Sequence, residues 1–135
     1  MSEGAVRFVD TSVLIRYFTD DLPDQAEVAE RIIENNDLLV NTVILLECSF
    51  VLTRLYGYPR EKVVDALVEF LLRENVVMAD LPKELVAAAL LEARNSHRLS
   101  FGDLLVIASM RGAGVHEIYS FDKGFRAEGI VVLNS

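Results

Sequence analysis

Five apolar runs of three or four residues, at 6–9, 38–40, 76–78, 118–120 and 130–133, alternate with stretches of helical periodicity, and no two-residue hairpin turn joins any two of them. Strands spaced in this way cannot pair as a meander, because each must travel through a helix before it meets the next. The alternation therefore predicts an α/β fold, a parallel sheet covered by helices on both faces. Hydrophobic residues make up 52 % of the 135 positions, enough for one core, and no Pro/Gly/Ser linker divides the chain, so 1–135 reads as a single domain.

The helices have recognisable ends. Val13, Leu14, Tyr17 and Phe18 follow the first strand at helical spacing, and Pro23 opens a helix to Asn35 that turns Ala26, Ala29, Ile32 and Ile33 to one face. Asn41 and Thr42 cap the next, which runs to about Tyr56 and stops at Gly57. A fourth spans 59–73 with Val63, Val64, Leu67, Phe70 and Leu71 inward, a fifth starts at Pro82, and Ser100 caps a sixth that ends at Gly112-Ala113-Gly114.

Four acids stand out against this pattern. Asp10 closes the first strand, Glu47 lies within the apolar helix Ile44 to Leu52, Asp103 opens the sixth helix, and Asp122 follows the fourth strand. A carboxylate taken out of water without a partner costs several kcal/mol, roughly, so acids in apolar settings invite a shared cation. Each also has a plainer reading. Asp10 suits a strand end with a cap at Thr11 or Ser12, Asp103 suits a capping box with Ser100, and Asp122 suits a turn before Gly124. Glu47 lies two helical turns from Arg54, beyond the usual pairing distance of three or four residues.

Other chemistries are poorly served. With Cys48 as the only cysteine and His97 and His116 unpaired in spacing, a zinc site is not supported, and Cys48 reads as a buried structural thiol. No glycine-rich loop precedes a helix. The formal net charge of -8 argues against a nucleic-acid partner until four converging carboxylates and their cations are set aside. Met1-Ser2-Glu3-Gly4 lacks the regions of a signal peptide and the longest apolar run is too short for a bilayer, which predicts a cytoplasmic protein with no membrane partner.

Taken together, Phe8-Val9-Asp10-Thr11-Ser12-Val13-Leu14, Glu47, Phe101-Gly102-Asp103-Leu104-Leu105-Val106-Ile107-Ala108 and Ser120-Phe121-Asp122-Lys123-Gly124-Phe125 resemble, in order, the four motifs of the PIN domain family, and in particular its VapC-like toxin nucleases. The resemblance spans nearly the whole chain, with Ser120 standing where a threonine is often found. It implies a parallel sheet in the order 3-2-1-4-5 and a metal-dependent endoribonuclease acting as the toxin of a toxin–antitoxin pair. Asp10, Glu47, Asp103 and Asp122 would then hold Mg2+ or Mn2+, with Asp10 and Asp103 as direct ligands, Asp122 completing the set and Glu47 managing a water. Thr11, Ser12 and Ser120 would orient the carboxylates.

The same resemblance implies three kinds of partner: RNA, a cognate antitoxin whose arginine pairs with the carboxylates, and a second copy in a homodimer or toxin–antitoxin hetero-oligomer. Tyr17, Phe18 and Leu55 are candidates for such contacts, and Arg16, Arg54, Arg111, Lys123 and Arg126 for RNA phosphates. Two other classes stay open. One is a catalytically silent PIN-like module that binds protein or RNA. The other is a phosphate-accepting domain on a different doubly wound sheet, disfavoured because Asp10-Thr11-Ser12 offers no second acid two residues on.

Overall fold

The computed structural model describes residues 5–95 and 98–135, so His97 lies outside the described residues. Its elements run β1 (Val6–Val9), α1 (Thr11–Phe18), α2 (Pro23–Asn35), β2 (Asp37–Val40), α3 (Thr42–Phe50), a π-helical turn (Val51–Leu55), α4 (Arg60–Leu71), β3 (Val76–Met78), α5 (Lys83–Asn95), α6 (Phe101–Ala113), β4 (Glu117–Tyr119) and β5 (Val131–Leu133). The strands form one parallel sheet in the order β3-β2-β1-β4-β5 with helices on both faces, as the alternation and the resemblance predict.

β1 holds the centre. Phe8 pairs with Leu39 of β2 on one side and Ile118 of β4 on the other, and Phe8 and Val9 have no exposed surface. A central strand covered on both faces buries apolar residues in succession, as Phe8 and Val9 do, while Arg7 nearer the open end pairs with Glu117 of β4 at 2.7 Å. The backbone pairing continues one residue beyond the strand, where Asp10 N–H donates to the Tyr119 carbonyl at 2.8 Å.

Local signals set the helix ends. Asn41 Oδ1 accepts from Ile44 N–H at 2.9 Å at the start of α3, and Ser100 Oγ accepts from Asp103 N–H at 3.0 Å at the start of α6. Gly114 stops α6 in the left-handed conformation, φ 69°, which a side chain would resist. Pro23 occupies the first turn of α2, and Ala29, Ile32 and Ile33 are buried as the spacing predicts.

Three packing details differ from expectation. Val64 of α4 is 49 % exposed, because Val63 and Phe70 carry the buried face and Leu67 and Leu71 only flank it. Tyr17 and Phe18 are half-buried rather than fully exposed: their rings pack on each other at 5.3 Å and on Phe70 at 6.5 Å and 6.1 Å. The helix predicted to run unbroken to Tyr56 changes pitch at Val51, where Tyr56 N–H reaches back five residues to the Val51 carbonyl at 3.1 Å. Among the described residues, no helix is long and apolar enough to cross a membrane.

Candidate active site

The sheet order reverses between β1 and β4: the chain moves outward through β2 and β3, then returns to build β4 and β5 on the opposite side. Helices leave in opposite directions at such a point and open a crevice beyond the strand ends. Asp10 immediately follows β1, and Ser120, Phe121 and Asp122 follow β4. α3 and α6 complete the walls with Glu47 and Asp103. All four acids line a single cleft of about 950 Å³.

Their environments are unequal. Asp10 is 5 % exposed, and its Oδ2 accepts from Ser120 Oγ at 2.9 Å and Ser12 Oγ at 3.2 Å. Ser12 in turn accepts from Phe121 N–H at 2.9 Å, and Ser120 from Asp122 N–H at 3.1 Å, so the two hydroxyls tie the end of β1 to the loop after β4. Thr11 Oγ1 donates to Glu47 Oε1 at 2.9 Å. Asp122 departs from its predicted apolar setting: it is solvent-exposed, and its Oδ1 accepts from Gly124 N–H at 2.9 Å, the turn geometry that the following glycine suggested.

Burial raises the carboxyl pKa of Asp10, Glu47 and Asp103, and like charge adds to it. At Asp103 desolvation, then Asp10 and Asp122, push the value up to about 6. At Glu47 desolvation leads, Thr11 opposes it, and Asp10 and Asp103 add to it. Burial likewise drives the Cys48 thiol upward, with Asp10 and Glu47 contributing, which makes it the inert thiol its apolar helix predicts.

Stability of the cation-free protein should therefore decline with pH. An acid whose pKa is higher folded than unfolded favours the fold in its protonated form; that contribution is complete below the unfolded value and disappears as pH rises through the folded one. For Asp103 the window lies between the ordinary carboxylate range and about 6. The expected result is a higher melting temperature at pH 5 than at pH 7.5 in chelator, with Mn2+ narrowing the difference. A melting temperature that climbs over that interval would contradict the repulsion.

The donors suit a hard divalent cation, since carboxylate and hydroxyl oxygens are what Mg2+ and Mn2+ prefer. The cleft is not a closed cage, however. Among the described residues, no group of three or more His, Cys, Asp or Glu side chains is gathered tightly enough to hold a metal ion. A cation binding there would have to draw the carboxylates closer together.

One residue went unnoticed as part of the site. Gly102, in the first turn of α6, faces Glu47 so closely that a Cβ would collide with Oε2. A glycine inside an apolar helix costs about 1 kcal/mol relative to alanine, and that cost was the available signal. Gly102→Ala should leave the fold as stable or slightly more so, because the flexible Glu47 carboxylate can swing aside. Any reaction carried out in the cleft should slow roughly 10- to 100-fold through its displacement. Wild-type rates at every Mg2+ concentration would show that Glu47 needs no fixed position.

The candidate cations are scattered. Arg16 lines the cleft, where one guanidinium nitrogen, Nη1, donates to Asp21 Oδ1 at 2.9 Å and to the Tyr56 hydroxyl at 3.1 Å. Arg54 lies over the Phe50 ring at 5.7 Å rather than beside Glu47. Arg111 is exposed in the last turn of α6, Arg126 is exposed in the loop before β5, and Lys123 lines a neighbouring cavity.

A parallel five-stranded α/β domain with acids from β1, α3, α6 and the loop after β4 in one cleft belongs to the class of doubly wound domains that bind ligands at a strand-order reversal. The PIN domain family model matches residues 7–129, and the chain belongs to that family. No curated protein sequence matches it significantly. Among solved structures it is similar to VapC20 of Mycobacterium tuberculosis, a Sarcin-Ricin loop cleaving toxin, with 24 % identity and TM-score 0.78 over 94 % of this chain and 97 % of that one. It also resembles VapBC2 from Rickettsia felis bound to a DNA fragment from its promoter (13 % identity, TM-score 0.67, covering 95 % and 97 %) and PAE2754 from Pyrobaculum aerophilum (15 %, 0.63, 98 % and 92 %).

Proposed function

We propose that this protein is a divalent-metal-dependent endoribonuclease, the toxin of a cytoplasmic toxin–antitoxin pair. The observation that carries the reading is the convergence of Asp10, Glu47, Asp103 and Asp122 from four separate segments on one cleft, with three of them destabilised as anions by burial and by one another. Proteins retain such repulsion where a cation or a reaction uses it. Membership of the PIN family and the likeness to a Sarcin-Ricin loop cleaving toxin support the same conclusion.

Asp10, Asp103 and Asp122 would hold Mg2+ or Mn2+, with Glu47 beside them. When bound, the cation supplies Lewis acidity toward water and toward the phosphate oxygens. Ser120 and Ser12 fix the Asp10 carboxylate through their bonds to Oδ2. Thr11 holds Glu47 through Oε1, and burial raises the pKa of that carboxyl, the direction that makes it a better base toward a bound water. Ser100 caps α6 and thereby sets where Asp103 projects.

The partners that fit are RNA, a cognate antitoxin, and a second copy of the chain or a toxin–antitoxin assembly. Leu46, Phe50, Leu55 and Phe101 are each more than half exposed, and Leu46 and Phe50 line the cleft itself, which gives an antitoxin an apolar shelf beside the acids. That shelf, together with the open arrangement of the carboxylates, also favours a second reading, a PIN module that binds without cleaving.

Cleavage of a mixed cellular RNA pool by antitoxin-free protein separates the two. Products with 5′ phosphate and 3′ hydroxyl ends that appear with Mg2+ or Mn2+ and vanish with chelator are expected of the nuclease. RNA or antitoxin binding without cleavage in either metal would leave the module.

A further inference from the structure

A second cavity, of about 370 Å³, adjoins the carboxylate cleft. The two share Gln25, Phe121 and Asp122 in their walls, so they are continuous at Phe121. The second is not a phosphate site. Asp24 and Asp122 both border it and would repel an anion, and among the described residues Lys123 is the one cation in its lining.

What remains is suited to a flat ring. Phe121 and the aliphatic Val28 and Val132 offer apolar surface, and base faces pack on such walls regardless of identity. Gln25 and Asn134 each carry an amide donor and acceptor for a base edge. Asp24 only accepts, so it rewards an exocyclic amino group and penalises a carbonyl in the same place. Lys123 follows Asp122 and takes part in none of the described ion pairs, which leaves its ammonium for the adjoining phosphate.

We propose that this cavity is a nucleobase subsite next to the scissile phosphate, selecting a base whose edge presents an amino group to Asp24. The inference rests on the nuclease reading above and assigns that reaction a specificity-determining residue outside the acids of the cleft. Asp24 is exposed in the first turn of α2, where a negative charge also suits the helix end, so Asp24→Asn keeps the shape of the side chain at little cost to the fold.

The test uses fluorescent oligocytidylate, oligoadenylate and oligouridylate, with binding measured by anisotropy in chelator and cleavage measured separately in Mn2+. Wild type should favour cytidine or adenosine over uridine roughly 5- to 10-fold in both assays, and Asp24→Asn should flatten that preference to within about 2-fold. Asn134→Ala should weaken binding of the preferred oligomer. A base preference in binding that Asp24→Asn removes, without cleavage, would uphold the subsite and sink the nuclease. Cleavage whose base preference is identical in wild type and Asp24→Asn would do the reverse. Failure to bind any of the three oligomers would overturn the subsite.

Discussion

Asp10→Asn is expected to fold normally and to lose at least about 1,000-fold in Mg2+-dependent RNA cleavage. The substitution keeps shape and lets the new amide oxygen accept from Ser120 and Ser12, while it removes the most deeply buried charge in the cleft. Because burial disfavours that charge, the variant in chelator should melt at or above the wild-type temperature, as removal of an uncompensated anion predicts. Mn2+ should then raise the melting temperature of wild type but scarcely that of the variant, since only a bound ligand stabilises the native state. Retained cleavage would exclude Asp10 from the chemistry, and equal Mn2+ shifts would place the cation elsewhere.

Phe125→Ala is expected to have the largest effect on the fold, about 3–5 kcal/mol, which for a domain of this size lowers the melting temperature by roughly 10 °C or more. The segment after β4 has no regular structure until β5, yet Phe125 in its middle is only 1 % exposed and belongs to the main core. Its N–H also closes a turn on the Asp122 carbonyl at 3.1 Å. The ring thus moors the stretch that carries Asp122 and Lys123. Phe125→Leu should recover most of the stability and, with it, the cleavage lost through the loosened loop. A melting temperature within about 3 °C of wild type would mean that the serine hydrogen bonds alone hold the segment.

Most of the architecture could be read from the chain because its signals are local. Asn41, Ser100, Pro23 and Gly114 each act on their own turn, and apolar runs too short for helices had to be strands. The sheet order was different in kind: strand alternation limits the fold to a parallel sheet, but only the resemblance supplied 3-2-1-4-5. At the site, the acids were visible as charges in greasy company, whereas the exposure of Asp122 depends on where a turn points it. Tyr17 and Phe18 looked available because their partner, Phe70, lies more than fifty residues away and no periodicity links them.

Gly102 and the bonds of Arg16 with Asp21 and Tyr56 escaped for a related reason. Gly102 meets Glu47 across two helices, and Arg16 and Asp21 meet Tyr56 from thirty-five or more residues away, contacts that exist only in the finished fold. The change of pitch at Val51 left no mark either, since Ile44 to Leu52 is apolar almost throughout and supports either winding equally well.

That change of pitch has a consequence for how this stretch can vary. A π turn is an α-helix holding one residue too many, and one residue is about 100° of rotation. Tyr56 reaches Asp21 Oδ2 at 3.0 Å, and receives Arg16, only because the surplus residue has already turned it toward the cleft. Exchanging Val51 or Leu52 for another aliphatic side chain leaves the tally unchanged. Deleting either would let the helix close to its ordinary winding and carry Tyr56 around by about a quarter turn, away from Asp21 and Arg16, at the further cost of a cleft-lining Val51 or a core Leu52. What the segment has to preserve is its length.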